Sequence, residues 1–299
     1  MAKAFVASNM QYAKTYYEQF PQEPVGGGAF VTVRPVRLIP ATAAGLFTAL
    51  RQHCRAGDAV LIVAHSSEHG LALWLVDDSP FGLNEENVNL IESVLAAPAA
   101  RRPAAEAELA ANAKLSAEAT SSLLADIRAV QALRLSAVHF RGCNLGQWEG
   151  TLKTFRQFFG CSRATGLKLR SGFALMPAPT ILTGGLQGSA TSSKRQLKGS
   201  QEARSVTDGP PGQRLRFRYT INSRQHTLSF ARVEAESTRS APAFIERNLP
   251  PPAAVYTGGV IPVHCLLELG ELVFPYANRR PNPKYAASIV ESRPSTDIF

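Results

Sequence analysis

The stretch Asp58-Ala-Val-Leu-Ile-Val-Ala64 decides the fold that we predict for this chain. It begins with a polar residue, and the polar turn His65–Gly70 follows it. A short apolar run bounded by turn residues is typical of a strand that is buried on both faces of a parallel sheet. Because all-parallel sheets occur almost only in α/β proteins, this stretch indicates an α/β fold.

Two later segments extend the pattern. Leu71–Val76, which ends at Asp77 and Asp78, predicts a hairpin-like step off the main sheet. Leu135-Ser-Ala-Val-His-Phe140 predicts a second buried strand, which leads into Arg141-Gly-Cys-Asn-Leu-Gly146. We therefore expect two strands of the main sheet, each followed by a turn that carries a histidine or a cysteine.

Helix-like and strand-like segments alternate through the first 180 residues. Helices are predicted at 9–19, 41–55, 116–134 and 148–159, and further strands at 3–8, 29–38 and 167–176. Pro35 argues that its strand is interrupted or lies at an edge. Pro98 and Pro103 indicate an Ala/Pro-rich loop between a helix near residue 86 and the helix 116–134. The alternation predicts a mainly parallel sheet flanked by helices.

Changes in composition divide the chain into three parts. We predict an α/β core over 1–180, a basic linker rich in Gly, Ser and Pro over 181–213, and a β-rich C-terminal part over 214–299. The last part is expected to hold a hairpin (214–221 and 226–235), an apolar strand region (259–274) and irregular chain (277–299). It either completes the main sheet or forms a small appendage, and its short length favours completion.

Charge and cysteine content bear on the partner and the compartment. The 299-residue chain has a formal net charge of +9. Basic residues cluster at Lys194, Arg195, Lys198, Arg204, Arg214, Arg216 and Arg218. Nucleic acid or anionic lipid could bind this cluster, although a solvated linker is the more frequent explanation. Because there is no CxxC pair and no apolar run near the ~20 residues of a membrane span, we expect a cytoplasmic protein without disulfides.

A thiol and an imidazole occupy corresponding places after the two buried strands. His65 directly follows the first strand, and Cys143 follows the second by three residues. The carboxyl ends of neighbouring parallel strands meet at one edge of a sheet, where ligands bind. If the strands are neighbours, the imidazole can take the thiol proton, and the thiolate can attack a carbonyl carbon.

These segments resemble the caspase-like cysteine peptidases, a clan that includes caspases, legumain, gingipains and separase. The resemblance rests on an apolar strand, His65 and a glycine-containing turn, and then on a strand that ends at Gly142-Cys143-Asn144, which is similar to bacterial branches of the clan. It covers about residues 1–180. It implies a cysteine endopeptidase without a cofactor, with Cys143 as nucleophile, His65 as general acid/base and backbone N–H groups as an oxyanion hole.

The histidine assignment has a rival. The clan usually has glycine directly after its catalytic histidine, whereas this chain has Ser66, and the His-Gly pair appears only at His69-Gly70. Position favours His65 and the glycine favours His69. Specificity in the clan depends on charge beside the nucleophile, so the acidic candidates Glu68, Asp77 and Asp78 would select Arg or Lys, whereas the basic candidate Arg141 would select Asp.

Several other interpretations stay open at this point. The fold could act as a catalytically inactive interaction module, or the chain could bind nucleic acid through its basic cluster. The linker at 185–213 could be a self-processing site. A zinc site that joins His139 to the other two histidines and Cys143 is a minor alternative, because the spacing fits no known finger. Cys54, Cys161 and Cys265 are expected to be structural.

Overall fold

A computed structural model describes residues 1–77, 79–177, 204–205, 214–221, 224–231, 260–268, 271–277 and 280–294. The chain divides into two compact units. The first unit comprises Met1–Gln11, Val31–Lys168 and Ile289–Phe299, and the second comprises Tyr12–Phe30 and Leu169–Ser288. Because each unit is assembled from separated segments, the chain passes between them more than once.

The described strands and helices follow one another along the chain. The strands are β1 (Ala2–Ala7), β2 (Gln22–Pro24), β3 (Phe30–Ile39), β4 (Ala59–Val63), β5 (Ser66–Ser67), β6 (Gly70–Trp74), β7 (Gly82–Asn84), β8 (Ala137–Phe140), β9 (Ala164–Leu167), β10 (Arg170–Pro177), β11 (Arg204–Ser205), β12 (Arg214–Ile221), β13 (Arg224–Ala231), β14 (Val260–Glu268), β15 (Glu271–Val273), β16 (Tyr276–Ala277), β17 (Arg280–Pro281) and β18 (Ile289–Ser292). The helices are α1 (Gln11–Gln19), α2 (Ala43–His53), α3 (Glu85–Leu95), α4 (Arg102–Ala113), α5 (Ala117–Ala132), α6 (Glu149–Phe158) and α7 (Pro283–Ala287).

The main sheet has seven strands, and the predicted α/β fold with a mainly parallel sheet is confirmed. The first unit contributes six of them, in the order β18-β9-β8-β4-β1-β3. Each of the neighbouring pairs β3–β1, β1–β4, β4–β8 and β8–β9 is parallel, whereas β18 is antiparallel to β9. The five parallel strands thus follow the order 2-1-3-4-5 along the chain, which is a doubly wound arrangement.

The hydrophobic core of the first unit lies between one face of this sheet and its helices. Phe5, Val60, Ile62, Val138 and Phe140 belong to it and have at most 1% of their surface exposed. Five phenylalanine rings at centroid distances of 5.1–6.5 Å join α2, the end of β8 and the end of α6, and they are Phe47, Phe140, Phe155, Phe158 and Phe159. This packing fixes the end of β8, where the chain turns towards Cys143.

The predicted step off the main sheet is confirmed. Strands β5, β6 and β7 form a separate antiparallel sheet. Gly70 begins β6 with a φ of +157°, and a Cβ there would lie 2.5 Å from the Cα of Asn84. Only glycine allows the two strands to approach this closely. Strand β3 runs through Pro35 without a break, but its pairing with β1 shifts register between Val33 and Val36, so the proline interrupts the pairing and not the strand.

Three local predictions were wrong. The Ala/Pro-rich loop contains helix α4, because Pro103 lies in the first turn, where proline is tolerated. The strand predicted over 167–176 exists as β10 but begins later, at Arg170, and Leu167 instead ends the separate strand β9. The region 277–299 is not irregular throughout: Asn282 caps α7 by accepting a hydrogen bond from Lys284 N, and β18 joins the main sheet.

The second unit contains the predicted hairpin, formed by β12 and β13, and the apolar strand β14 pairs with β10 and β15. A chain of buried polar side chains lies in this unit. The Oγ of Ser171 is 2.8 Å from Nε2 of His264, whose Nδ1 is 3.5 Å from the hydroxyl of Tyr285. Tyr285 and Tyr17 each donate to Glu23, over 3.0 and 3.1 Å. Glu23 and His264 are fully buried.

Most of the segment that we interpret as a linker lies outside the described residues. Positions 181–203 and 206–213 are not described, so the possible processing segment and the basic residues Lys194, Arg195 and Lys198 carry no structural account. Arg204, Arg214, Arg216 and Arg218 lie in strands β11 and β12. Nucleic-acid binding by this cluster therefore stays a prediction.

Candidate functional site

The ends of β4 and β8 bring the predicted thiol and imidazole to the same edge of the sheet. The two strands are direct parallel neighbours, with Val60 opposite Val138 and Ile62 opposite Phe140. Each pair joins residues 78 positions apart, and the residue 78 positions after His65 is Cys143. Neighbouring strands lie about 4.8 Å apart. The pairing stops at Ile62 and Phe140, and His65 and Cys143 each follow three residues later, just beyond the carboxyl ends of two adjacent strands.

Hydrogen bonds fix the backbone on both sides of this pair. The hydroxyl of Ser66 donates to the carbonyl oxygen of Cys143 over 2.7 Å. The amide of Ala72 donates to the carbonyl oxygen of His65, also over 2.7 Å. The segment that carries the imidazole is thus tied directly to the segment that carries the thiol.

Gly142 is the point at which the two segments touch. A Cβ at this position would lie 2.2 Å from Oγ of Ser66 and 2.3 Å from the carbonyl oxygen of Ala64. Such distances exclude any side chain, so the Gly-Cys pair has a steric reason. Directly after Cys143, Asn144 adopts a left-handed φ of +60° and accepts a hydrogen bond from the amide of Gln147 over 2.8 Å. The thiol therefore sits at the start of a tight turn.

Ser66, which departs from the pattern of the family that the sequence resembles, makes a hydrogen bond to the segment that carries Cys143. Its hydroxyl holds the Cys143 peptide group, which glycine could not do. No local pattern could have indicated this bond, because its partners are 77 positions apart.

His69, the rival histidine, lies at the tip of the hairpin between β5 and β6. Ser67 pairs with Gly70, so Glu68 and His69 form the turn itself. The side chain of His69 is 74% exposed, and its Nε2 is 3.8 Å from Oε1 of Glu68. The glycine that follows it is explained by the close approach of Asn84, so the His69-Gly70 pair does not require a catalytic role.

The cysteines have different surroundings. Cys143 is partly exposed, whereas Cys54, Cys161 and Cys265 are buried, as predicted for structural residues. Burial raises the pKa of Cys54 and of Cys161 to about 11 and that of Cys265 to about 12. Since the thiolate is the reactive form, these three thiols are unreactive at neutral pH.

The predicted specificity residues do not gather in one place. Glu68 lies at the hairpin tip, and the exposed Asp77 lines a cavity beside α2. Arg141 has no exposed surface, and its Nη1 donates to the carbonyl oxygen of Phe140 over 2.9 Å and to Oγ1 of Thr165 over 3.3 Å. Asp78 lies outside the described residues. The charge preference at the cut site thus stays a prediction.

His139, the residue of the minor zinc interpretation, lies inside β8 and is 2% exposed. Its Nδ1 is 2.9 Å from Oγ1 of Thr165. Burial, together with the positive charges of Arg141 and Arg163, lowers the pKa of His139 to about 3. Within the described ranges, no group of three or more His, Cys, Asp or Glu side chains is arranged to hold a metal ion. His139 is therefore a neutral, hydrogen-bonded core residue at physiological pH.

This burial predicts acid sensitivity of the fold. Unfolded histidine has a pKa of about 6.5, so between pH 6.5 and pH 3 the unfolded chain binds a proton at His139 that the folded chain does not. Folding free energy is then lost as the pH falls, by about 3 kcal/mol between pH 7 and pH 4. Urea unfolding at several pH values measures this slope. His139→Asn should flatten it, and an unchanged slope in that variant would contradict the assignment.

Fold and site together define an α/β protein that carries a cysteine and a histidine at one edge of a parallel sheet. No protein-family model, curated protein or solved structure matches the chain. Among the helices of the described part, none combines the length and apolar character that crossing a membrane requires. The functional inference therefore rests on the geometry of the site.

Proposed function

We propose that this protein is a caspase-like cysteine endopeptidase that uses Cys143 as the nucleophile and His65 as the general acid/base. The parallel pairing of β4 with β8, which brings the segments after these two strands to the same edge of the sheet, is the observation that carries the proposal. The bond from Ser66 to the Cys143 carbonyl supports it, because it keeps the two segments together. Cys143 also supports it as the partly exposed cysteine among four, since the other three are buried.

The proposed reaction follows from the chemistry of a thiol beside an imidazole. The thiol proton of Cys143 passes to His65, and the thiolate attacks the carbonyl carbon of a peptide bond. The resulting imidazolium protonates the amine as it leaves, and water then hydrolyses the thioester. In this proposal, backbone N–H groups near the two residues stabilise the oxyanion, as the family resemblance implies.

Of the two histidines, we assign the role to His65. It lies two residues after the end of β4 and directly before Ser66, whose hydroxyl donates to the carbonyl oxygen of Cys143. The amide of Ala72 donates to the carbonyl oxygen of His65. His69 is mostly exposed at a hairpin tip. A backbone position held next to the sheet restricts the orientation of an imidazole more than an exposed hairpin tip does.

The proposal also covers the substrate, the cofactor requirement, self-processing and the cellular compartment of the enzyme. Its substrate would be a protein or peptide, it would need no cofactor, and the linker at 185–213 would be a site of self-processing. No disulfide joins the four cysteines, all of which lie in the described part of the chain, and this fits the reducing cytoplasm. An inactive interaction module with the same fold is the main competing function.

Alkylation of the intact protein tests the proposal. At pH 6, iodoacetamide should modify Cys143 at least ~10-fold faster than the cysteine of an unstructured peptide, because a paired imidazole increases the thiolate fraction. Mass spectrometry of tryptic peptides gives the rate at each cysteine. The buried Cys54, Cys161 and Cys265 are internal controls and should stay unmodified.

Comparing the alkylation rate of Cys143 with that of a free peptide distinguishes a thiol activated by an imidazole from an ordinary exposed thiol. An ordinary exposed thiol would react no faster than the peptide, and its pH profile would follow that of free cysteine near pH 8.5. This result would favour the inactive interaction module. A Cys143→Ser variant, which lacks the thiol, should lose both the modification and any peptide cleavage.

A further inference from the structure

A cavity of about 670 Å³ lies between β3 and α2, separate from the Cys/His pair. Its walls include Arg37 and Leu38 from β3, Ala49 and His53 from α2, and Val76 and Asp77 from the segment after β6. Neither His65 nor Cys143 lines it. Its volume is within the range of ~300–1,000 Å³ that is typical of small-molecule sites.

Arg37 gives the cavity a positive charge without a partner. In the described part of the chain, no side-chain hydrogen bond or ion pair engages its guanidinium, and Nη1 is buried without a hydrogen-bond partner. Two other basic residues of this region are paired, since Lys3 contacts Asp58 and Arg51 contacts Asp126, each at 2.5 Å. A partly buried guanidinium that lacks an acceptor favours an anionic ligand.

Several apolar side chains line the rest of the cavity and favour a ligand with an apolar portion. Leu38 is 45% exposed, which is unusual for a large apolar side chain, and Val76 and Ala49 also line the space. Trp74, 53% exposed, pairs through its backbone with Thr42, another residue of the cavity wall. Asp77 adds one negative charge to the wall and so opposes ligands with a high negative charge.

We infer that this cavity binds a small organic monocarboxylate with a short apolar chain. The carboxylate pairs with the guanidinium of Arg37, whose planar N–H groups suit bidentate contact with two oxygens. The apolar chain covers Leu38 and Val76 and removes their exposed surface from water. This site is independent of the proposed peptidase chemistry. In it, Asp77 would disfavour ligands with more than one negative charge, and this role does not involve Cys143.

Titration of the full-length protein with hexanoate, followed by calorimetry, tests the inference. Binding should be saturable with one site, and acetate should bind more weakly, since each added methylene contributes up to about a fourfold gain. Arg37→Gln should weaken hexanoate binding by about 10- to 100-fold. The matched control is Arg34→Gln, because Arg34 is exposed on the same strand outside the cavity and should change binding less than twofold.

Further probes decide the chemical class. Hexylammonium and inorganic phosphate should not compete with hexanoate, and Leu38→Ser should weaken hexanoate but not acetate. Cys143→Ala should bind hexanoate normally, so failure of the peptidase proposal leaves this test intact. The inference is overturned if hexanoate does not saturate, if Arg37→Gln and Arg34→Gln weaken it equally, or if phosphate competes as well as acetate does.

Discussion

Replacement of His65 by alanine is expected, under the peptidase proposal, to lower kcat/KM for peptide cleavage by about 10²- to 10⁴-fold, the usual contribution of a general acid/base. His69→Ala should change it less than about threefold. The difference follows from position, because His65 precedes Ser66, which bonds to the Cys143 carbonyl, whereas His69 lies exposed in the turn between β5 and β6.

A fluorogenic peptide mixture with Arg, Lys or Asp before the cut site measures this effect. The same two variants should differ in alkylation, since His65→Ala removes the rate advantage of Cys143 at pH 6 and His69→Ala keeps it. Circular dichroism in the near ultraviolet checks that both variants keep their tertiary structure. The opposite ranking, with His69→Ala inactive and His65→Ala active, would transfer the role to the hairpin tip.

The sequence was informative about the fold wherever burial leaves a pattern. Residues 59–63 are all apolar because β4 is covered on both faces, so the strand could be predicted without its partners. Helix α4 was missed because Pro103 was interpreted as a helix breaker, although it lies in the first turn. Strand β18 was missed because its four residues become a strand only by pairing with β9.

The site could be predicted only in part, for a similar reason. The positions of His65 and Cys143 follow from the rule that parallel strands share a carboxyl edge. The bond from Ser66 to Cys143 depends on how β4 and β8 are aligned, and no local spacing encodes it. The cavity at Arg37 likewise exists only because β3 and α2 pack together.

The largest effect on stability is expected at Glu23, in the second unit. Its carboxylate is fully buried and accepts hydrogen bonds from the hydroxyls of Tyr17 and Tyr285. Glu23→Leu keeps a similar volume but removes both acceptor oxygens. Each buried hydroxyl that loses its acceptor costs about 1–3 kcal/mol, so the variant should lose ~2–6 kcal/mol of folding free energy. Glu23→Gln retains one oxygen and should lose about half as much.

Hydrogen exchange followed by mass spectrometry measures this loss within the second unit. The reporting peptides should cover α1 and β14, since Tyr17 and His264 belong to these elements. The matched control is Glu18→Gln. Glu18 is partly exposed and pairs with Lys14 on the same helix, so its variant should lose at most ~0.5 kcal/mol.

A double variant separates the loss of hydrogen bonds from the loss of packing. If the unsatisfied hydroxyl of Tyr17 causes part of the cost, Tyr17→Phe combined with Glu23→Leu should destabilise less than the sum of the two single variants, by at least ~1 kcal/mol. Additive losses would show that the Tyr17 hydroxyl and Glu23 do not stabilise the fold through their hydrogen bond. In that case the cost of Glu23→Leu would lie in its other hydrogen bond, which the hydroxyl of Tyr285 donates over 3.0 Å.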